Sequence, residues 1–190
     1  MCVDPTKSYL FDKTLLEQLD YTSSDINTKH QLSASNPGQG LYMRSLCQDD
    51  NHKGYLELLS ELTTVGDVTE QMFTERFNAM KSCLNTYYIV VVEDIAVSRI
   101  VSTSTLVVEH HMNSSFEITK KGRIEDVVVA DTHRGKRLGQ LLLETLILLA
   151  EKVNCNEVSL ECKDRTVDFY ARFGFELQNG LRYMTKRISH

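Results

Sequence analysis

A β-branched strand, Arg123 to Ala130, runs through a tight turn into the longest apolar helix of the chain, Arg134 to Val153. Few folds accommodate that order. Leu138, Leu141, Leu142, Leu146, Leu148 and Leu149 make the helix apolar around most of its circumference, so it packs centrally rather than lying on a surface. Gly135 in the turn and Gly139 in the helix let a ligand approach the backbone closely. The first amides of a helix have no partners inside it. The helix dipole adds partial positive charge at that end, and Lys136 and Arg137 add full charges. Together these make an anion cradle of pyrophosphate size. It is neither a P-loop nor a GxGxxG turn, and a βα turn of this kind also occurs for packing alone.

Around this unit the hydrophobic period changes several times. Residues 1–40 are polar and irregular and read as a partly ordered N-terminal arm, with Leu10 to Leu19 able to form a helical turn or two. The patterned domain is 41–190. Leu41 to Leu46 alternates as a strand, a helix capped by Asp49 or Asp50 runs to about Thr63, and a second spans Thr69 to Cys83. Tyr87 to Val92 reads as a strand buried on both faces, Glu93-Asp94 as a turn, and Ile95 to Glu109 as the returning arm. A loop from Asn113 to Lys121 precedes the strand and helix described above. Val158 to Cys162 then reads as a strand, Thr166 to Phe173 as a short helix, and Tyr183 to Ile188 as a last strand. The order is that of an α+β sheet with one embedded βαβ unit.

Charge and cysteine usage exclude several function classes. The net charge of −5 lacks the concentrated basic surface that nucleic acid requires. Five cysteines, an odd number with no CxxC pair, point to free thiols in a reducing, cytoplasmic compartment. The N-terminal stretch has no signal-type apolar run, and nothing approaches the ~18 apolar residues of a membrane-spanning helix. His110-His111 has no third ligand at metal spacing, so a loop pair or a phosphate contact is expected there and no metal.

The segment Arg134-Gly135-Lys136-Arg137-Leu138-Gly139 resembles the [QR]-x-x-G-x-[GA] acetyl-CoA motif of the GNAT superfamily. Arg137 replaces the motif's first glycine, and its amide is expected to donate from helical geometry. Val158 to Cys162, Phe169-Tyr170 and Phe173-Gly174-Phe175 resemble the same family's closing half. More closely, Leu62 to Gly66, Gly122 to Val127 and Leu160-Glu161-Cys162 are similar to the eukaryotic glucosamine-6-phosphate N-acetyltransferases, from about Leu41 to Arg187. The resemblance implies a GNAT (acyl-CoA N-acyltransferase) fold: a mixed, mostly antiparallel sheet, helices on both faces and a splayed parallel strand pair. It also implies acetyl-CoA as co-substrate, direct acetyl transfer to glucosamine 6-phosphate on the route to UDP-N-acetylglucosamine, and a homodimer.

The same resemblance implies roles for single residues. Val127, Val128 and Val129 would pair through their backbone with the pantetheine arm, as an added strand would. His133, Arg134, Gly135, Lys136, Arg137, Leu138 and Gly139 would hold the pyrophosphate, and Thr166 stands where many members carry an asparagine on the cofactor arm. Tyr170 would serve as general acid for the departing thiolate. Glu125, Asp126 and Glu161 would bind the sugar and its amine, with Glu125 and Glu161 as catalytic carboxylates. Thr63, His111, Ser114, Arg123 and Arg187 would complete the substrate site, Arg187 across the dimer interface. Cys162 is expected to be a buried structural thiol. Two other readings stay open: a GNAT enzyme for another amine, such as a polyamine or a protein N-terminus, and a CoA-binding protein without catalysis.

Overall fold

The computed structural model describes residues 7–112, 118–178, 180 and 184–186. Among the described residues five strands make one sheet: β1 (Leu41–Ser45), β2 (Tyr87–Asp94), β3 (Arg99–Met112), β4 (Ile118–Val129) and β5 (Glu157–Leu160). They lie in chain order, with every pair antiparallel except β4 and β5, which are parallel. A parallel pair needs a long crossover, and the leucine-rich helix supplies it.

Successive side chains of a strand point to opposite faces. In β2, Tyr88, Val90 and Val92 enter one core while Ile89 and Val91 enter a second on the other face. The first core is covered by the crossover helix α5 (Leu138–Lys152) together with α1 (Thr14–Glu17) and α2 (Asp25–His30). The second is covered by α3 (Tyr55–Leu59) and α4 (Glu70–Ser82). The short α6 (Val167–Ala171) follows β5. Leu141, Leu142, Leu143, Leu146 and Leu149 of α5 have no exposed surface, as a helix apolar nearly all round requires.

The stretch before β1 packs onto α5. Leu16, Tyr21, Ile26 and Ala34 are buried in the same cluster as the α5 leucines. Tyr21 donates its hydroxyl to Thr145 Oγ1 at 2.7 Å, and Thr145 donates in turn to the Leu141 carbonyl at 2.7 Å. Burial pushes the Tyr21 phenol up to about 12.

Several boundaries differ from the sequence reading, each for a local reason. The helix expected between Asp49 and Thr63 is split, because Gly54 adopts φ +79° between a 3-10 turn (Gln48–Lys53) and α3. Glu93 and Asp94 belong to β2 rather than to a turn, since Glu93 pairs with Ile100. Helix α5 begins at Leu138, not Arg134, because Gly135 and Arg137 have left-handed φ of +81° and +62°. β4 starts at Ile118, inside the expected loop. Tyr183 and Ile188 of the expected last strand lie outside the described residues, and residues 184–186 have no regular structure. Among the described residues no helix is long and apolar enough to cross a membrane.

One ion cluster is sealed inside the sheet. Arg44 donates two hydrogen bonds of 2.7 Å to Asp50 and two, of 2.6 and 3.2 Å, to Glu93. Lys53 caps the other Glu93 oxygen, and Asp50 also accepts from the Cys47 amide at 2.7 Å. Burial disfavours the Arg44 charge, but the two carboxylates outweigh it and hold the pKa above the usual value. Removing one partner strands the others without compensation. Arg44→Ala should therefore lower unfolding stability by about 3–5 kcal/mol in urea titrations. A loss below about 1 kcal/mol would mean that water satisfies the two carboxylates.

Candidate active site

The turn between β4 and α5 is built to present amides. His133 and Arg134 bond back to Ala130 and Asp131, closing a 3-10 turn over Asp131–His133. The chain then alternates through the left-handed Gly135 and Arg137, and the first helical bond is Leu141 N–H to the Arg137 carbonyl. Leu138, Gly139 and Gln140 thus head the helix with amides that precede that bond. A cavity of about 330 Å3 opens here, lined by Val129, His133, Arg134, Gly135, Arg137 and Gln140 among others. Arg137 is not helical, contrary to the sequence reading. A non-glycine residue at positive φ costs roughly 1–2 kcal/mol, and the turn tolerates it at the point where the amides converge.

Next to this cradle the sheet opens. β4 and β5 pair only from Lys121↔Glu157 to Ile124↔Leu160. Beyond that point Glu125–Val129 has no ladder partner on this edge among the described residues. The cause lies in β4: Thr103 pairs with Val128 and Thr105 with Glu125, so β4 spends three residues where β3 spends two. The extra residue is Asp126, at φ +54°. In the opening lies a cavity of about 270 Å3 lined by Thr63, Glu125, Asp126, Val127, Glu161 and Tyr170, with Leu62, Ile124 and Leu160. Among the described residues three carboxylates line it, Glu125 with Arg123 at 2.9 Å behind it, a setting that suits a protonated amine. Burial holds the Asp126 carboxyl above its ordinary range even though part of it reaches solvent. Tyr170 is half-buried, edge-on to Phe169 at 5.1 Å, and burial followed by the nearby Cys162 pushes its phenol up.

Residues 36–175 match the acetyltransferase (GNAT) family. The chain belongs to the GNAT acetyltransferases. A probable glucosamine 6-phosphate N-acetyltransferase of Drosophila melanogaster is 41% identical over 170 residues, 89% of this chain and 76% of the relative. The glucosamine 6-phosphate N-acetyltransferase 1 of Dictyostelium discoideum is 36% identical over 137 residues, 72% of this chain and 85% of the relative. The crystal structure of glucosamine-6-phosphate N-acetyltransferase from Arabidopsis thaliana superposes with a TM-score of 0.71 at 32% identity, covering 78% of this chain and 99% of that one. Within the GNAT acetyltransferases the chain therefore groups with the glucosamine 6-phosphate N-acetyltransferases.

On this GNAT frame the expected site residues fall into three groups. Thr63, Glu125, Asp126, Val127, Glu161 and Tyr170 share the opening, and Val129, His133, Arg134, Gly135, Arg137, Leu138 and Gly139 share the cradle. Others stand apart. Val128 is buried in the second core, Lys136 is exposed and lines neither cavity, and Thr166 donates its hydroxyl to the Lys163 carbonyl at 2.8 Å. Arg123 is 2.9 Å from Glu125 and 3.6 Å from Glu109, and His111 is 3.2 Å from Glu109, outside the opening. Ser114 and Arg187 lie outside the described residues. Cys162 is exposed rather than buried, because β5 ends at Leu160.

Sequence reasoning missed Asp94, Gln140 and Phe169. Gln140 and Phe169 complete the cradle lining. Asp94 accepts from His133 Nε2 at 3.1 Å while His133 Nδ1 meets Thr132 Oγ1 at 2.9 Å. The buried imidazole thus pins the turn to the end of β2, and no local pattern announces a pair 39 residues apart. Burial opposes the Asp94 charge, but the Ala96 amide and His133 outweigh it and lower the pKa. A depressed carboxylate stabilises the fold above its unfolded pKa, and that contribution fades as pH falls through the folded value. Asp94→Ala should lower the melting temperature and raise KM for acetyl-CoA more than it lowers kcat. Steady-state kinetics and thermal unfolding check this; unchanged KM with lowered kcat would contradict the pinning role.

Proposed function

We propose that this chain transfers the acetyl group of acetyl-CoA to the amine of glucosamine 6-phosphate, giving N-acetylglucosamine 6-phosphate. The observation that carries the reading is the convergence of Thr63, Glu125, Asp126, Glu161 and Tyr170 in the opening between β4 and β5, next to the amide cradle. The similarity to glucosamine 6-phosphate N-acetyltransferases supports the choice of acceptor. In this reading residues 41–190 are the catalytic domain and residues 1–40 an arm laid upon it.

Acetyl-CoA supplies an activated acyl group as a thioester. The cradle suits its diphosphate, through amides and Arg134 and Arg137, and the unpaired edge of β4 suits the amide-bearing arm. Glu125 and Glu161 attract the ammonium group of the sugar and accept its proton, leaving a neutral nucleophile. Holding amine and thioester together provides most of the acceleration. Tyr170 gives its phenolic proton to the departing sulfur. Its raised pKa suits that task, since the phenol stays protonated throughout the neutral range.

The acidic lining also favours a second reading, a polyamine or a protein N-terminus as acceptor. Thiol release measured with acetyl-CoA and a panel of amines separates the two. Glucosamine 6-phosphate should exceed glucosamine and spermidine in kcat/KM by at least tenfold; each charge-assisted phosphate contact is worth about 1.5–3 kcal/mol. Equal values for the two sugars would sink the assignment.

A homodimer belongs to the same reading. Met112 and Ile118 pair at the ends of β3 and β4 and are 65% and 73% exposed, two apolar side chains suited to a second copy. Light scattering at working concentration checks this. A fully active monomer would contradict it.

Tyr170→Phe keeps the ring contacts and removes only the hydroxyl. kcat should fall about 10²-fold, roughly 2.7 kcal/mol of barrier, with KM for acetyl-CoA and the melting temperature nearly unchanged. Full activity would remove Tyr170 from the acid role.

A further inference from the structure

A second hollow adjoins the carboxylates of the opening. It has a volume of about 280 Å3 and sits between α3, α4 and the face of β2, β3 and β4 that they cover. Leu56 and Leu59 of α3, Val68 before α4, and Phe73 and Met80 of α4 make its lining mainly apolar. Among the described residues, Arg76, Glu125 and Asp126 bring the charge. Glu125 and Asp126 line the β4–β5 opening as well. Helix α3 joins the two spaces a second time, because Leu56 and Leu59 border the hollow while Leu62 and Thr63, just beyond, border the opening. The two spaces are adjacent chambers with a pair of carboxylates between them.

The charges stand at opposite ends. Exposed Arg76 marks the outer rim, 5.7 Å over the ring of Tyr87 on β2. Glu125 is on β4, opposite Thr105 of the intervening β3. Two strand spacings, about 10 Å, separate those backbone positions. Arg123, outside this lining, already stands 2.9 Å from Glu125, so Asp126 carries the less compensated charge. Burial raises the Asp126 pKa, and burial followed by Asp126 pushes up the phenol of buried Tyr55, which therefore stays neutral beside it. Such a chamber selects a ligand class. An ammonium group seeks the carboxylates, an apolar body fills the hollow, and a second ammonium at the far end meets Arg76. An apolar cavity of roughly 150 Å3 already takes a benzene ring, so a ring with a short chain fits here. We propose that the hollow binds a small primary monoamine with an apolar body of arylethyl size, its ammonium on Glu125 and Asp126. Binding in the hollow is independent of the sugar reading; the consequence that such an amine competes with glucosamine 6-phosphate rests on that reading.

Calorimetric titration of the full chain with three probes tests the site. 2-Phenylethylamine should bind about tenfold or more tightly than 2-phenylethanol, which lacks the charge, and than methylamine, which lacks the apolar body. Val68→Phe and Leu56→Phe fill the hollow from partly exposed positions. Each should weaken 2-phenylethylamine about fivefold or more, with KM for glucosamine 6-phosphate within about twofold of the native value. Circular dichroism of each variant, expected to match the native spectrum, separates a filled hollow from lost folding. In the native protein, saturating 2-phenylethylamine should raise KM for the sugar and leave kcat unchanged. Equal affinity for the amine and the alcohol, equal affinity for methylamine, or undiminished binding in both filled variants overturns the site, and this comparison of probes needs no variant to fold. A chain that acetylates glucosamine 6-phosphate but does not bind 2-phenylethylamine defeats this proposal alone. A chain that binds 2-phenylethylamine with the expected preferences yet does not turn over the sugar defeats the sugar reading and leaves the site standing.

Discussion

The extra residue in β4 is the constraint on which the rest of the site depends. Ile124 and Val128 are four apart and would share a face in a regular strand. Here Ile124 joins the core beneath α5 and Val128 the core beneath α3 and α4. The left-handed Asp126 between them makes the switch, at a strain of about 1–3 kcal/mol. Bulges bend a strand and re-aim its side chains. This one leaves β5 behind after Leu160 and turns the acidic pair Glu125-Asp126 towards the gap. A straight β4 would continue its ladder with β5 and close the space in which an acyl donor and an amine could meet.

Helix α5 keeps the opening in place from beneath. Its buried leucines fix the crossover against β3 and β4, and its N-terminus can sit only where β4 ends. The cradle and the opening are thus two ends of one packing arrangement. The Asp94–His133 pair adds a tie from β2, so the turn is held from both sides before any ligand arrives. Preorganisation of this kind reduces the ordering cost of binding. The Arg44 cluster plays the matching part at the opposite edge, fixing the 3-10 turn that leads into α3.

The charge pattern divides the surface by task. Carboxylates gather in the β4–β5 opening, and cations gather along the turn and the end of α2. A chain with net charge −5 still gathers cations locally, because the net value says nothing of placement. Arg123, by contrast, sits among Glu109 and Glu125 in an exposed cluster of the β3–β4 hairpin. Pairs so exposed contribute little to stability.

Much of the fold was legible along the chain because its signals are local. Strand alternation, the 3.6-residue period of the leucines and the glycine turn act over a few residues each. They suffice for the order of strands and helices from β1 to α6, apart from the break at Gly54, and for the two-faced β2 and the central helix. The glycine turn ahead of the long helix was legible for the same reason, whereas the grouping of Glu125, Asp126, Glu161 and Tyr170 came from the family resemblance. Tertiary structure decided the rest. The bulge at Asp126 exists because two cores compete for one strand, and no residue spacing records that competition. The arm packs on α5 because Leu16, Tyr21 and Ile26 find leucines more than a hundred residues away, at Tyr21 and Thr145 a separation of 124. Likewise Asp94 meets His133 only after β2 has been laid beside β3 and β3 beside β4. Interactions closed by chain neighbours can be read from the sequence, whereas those closed across the sheet arise only when the strands assemble.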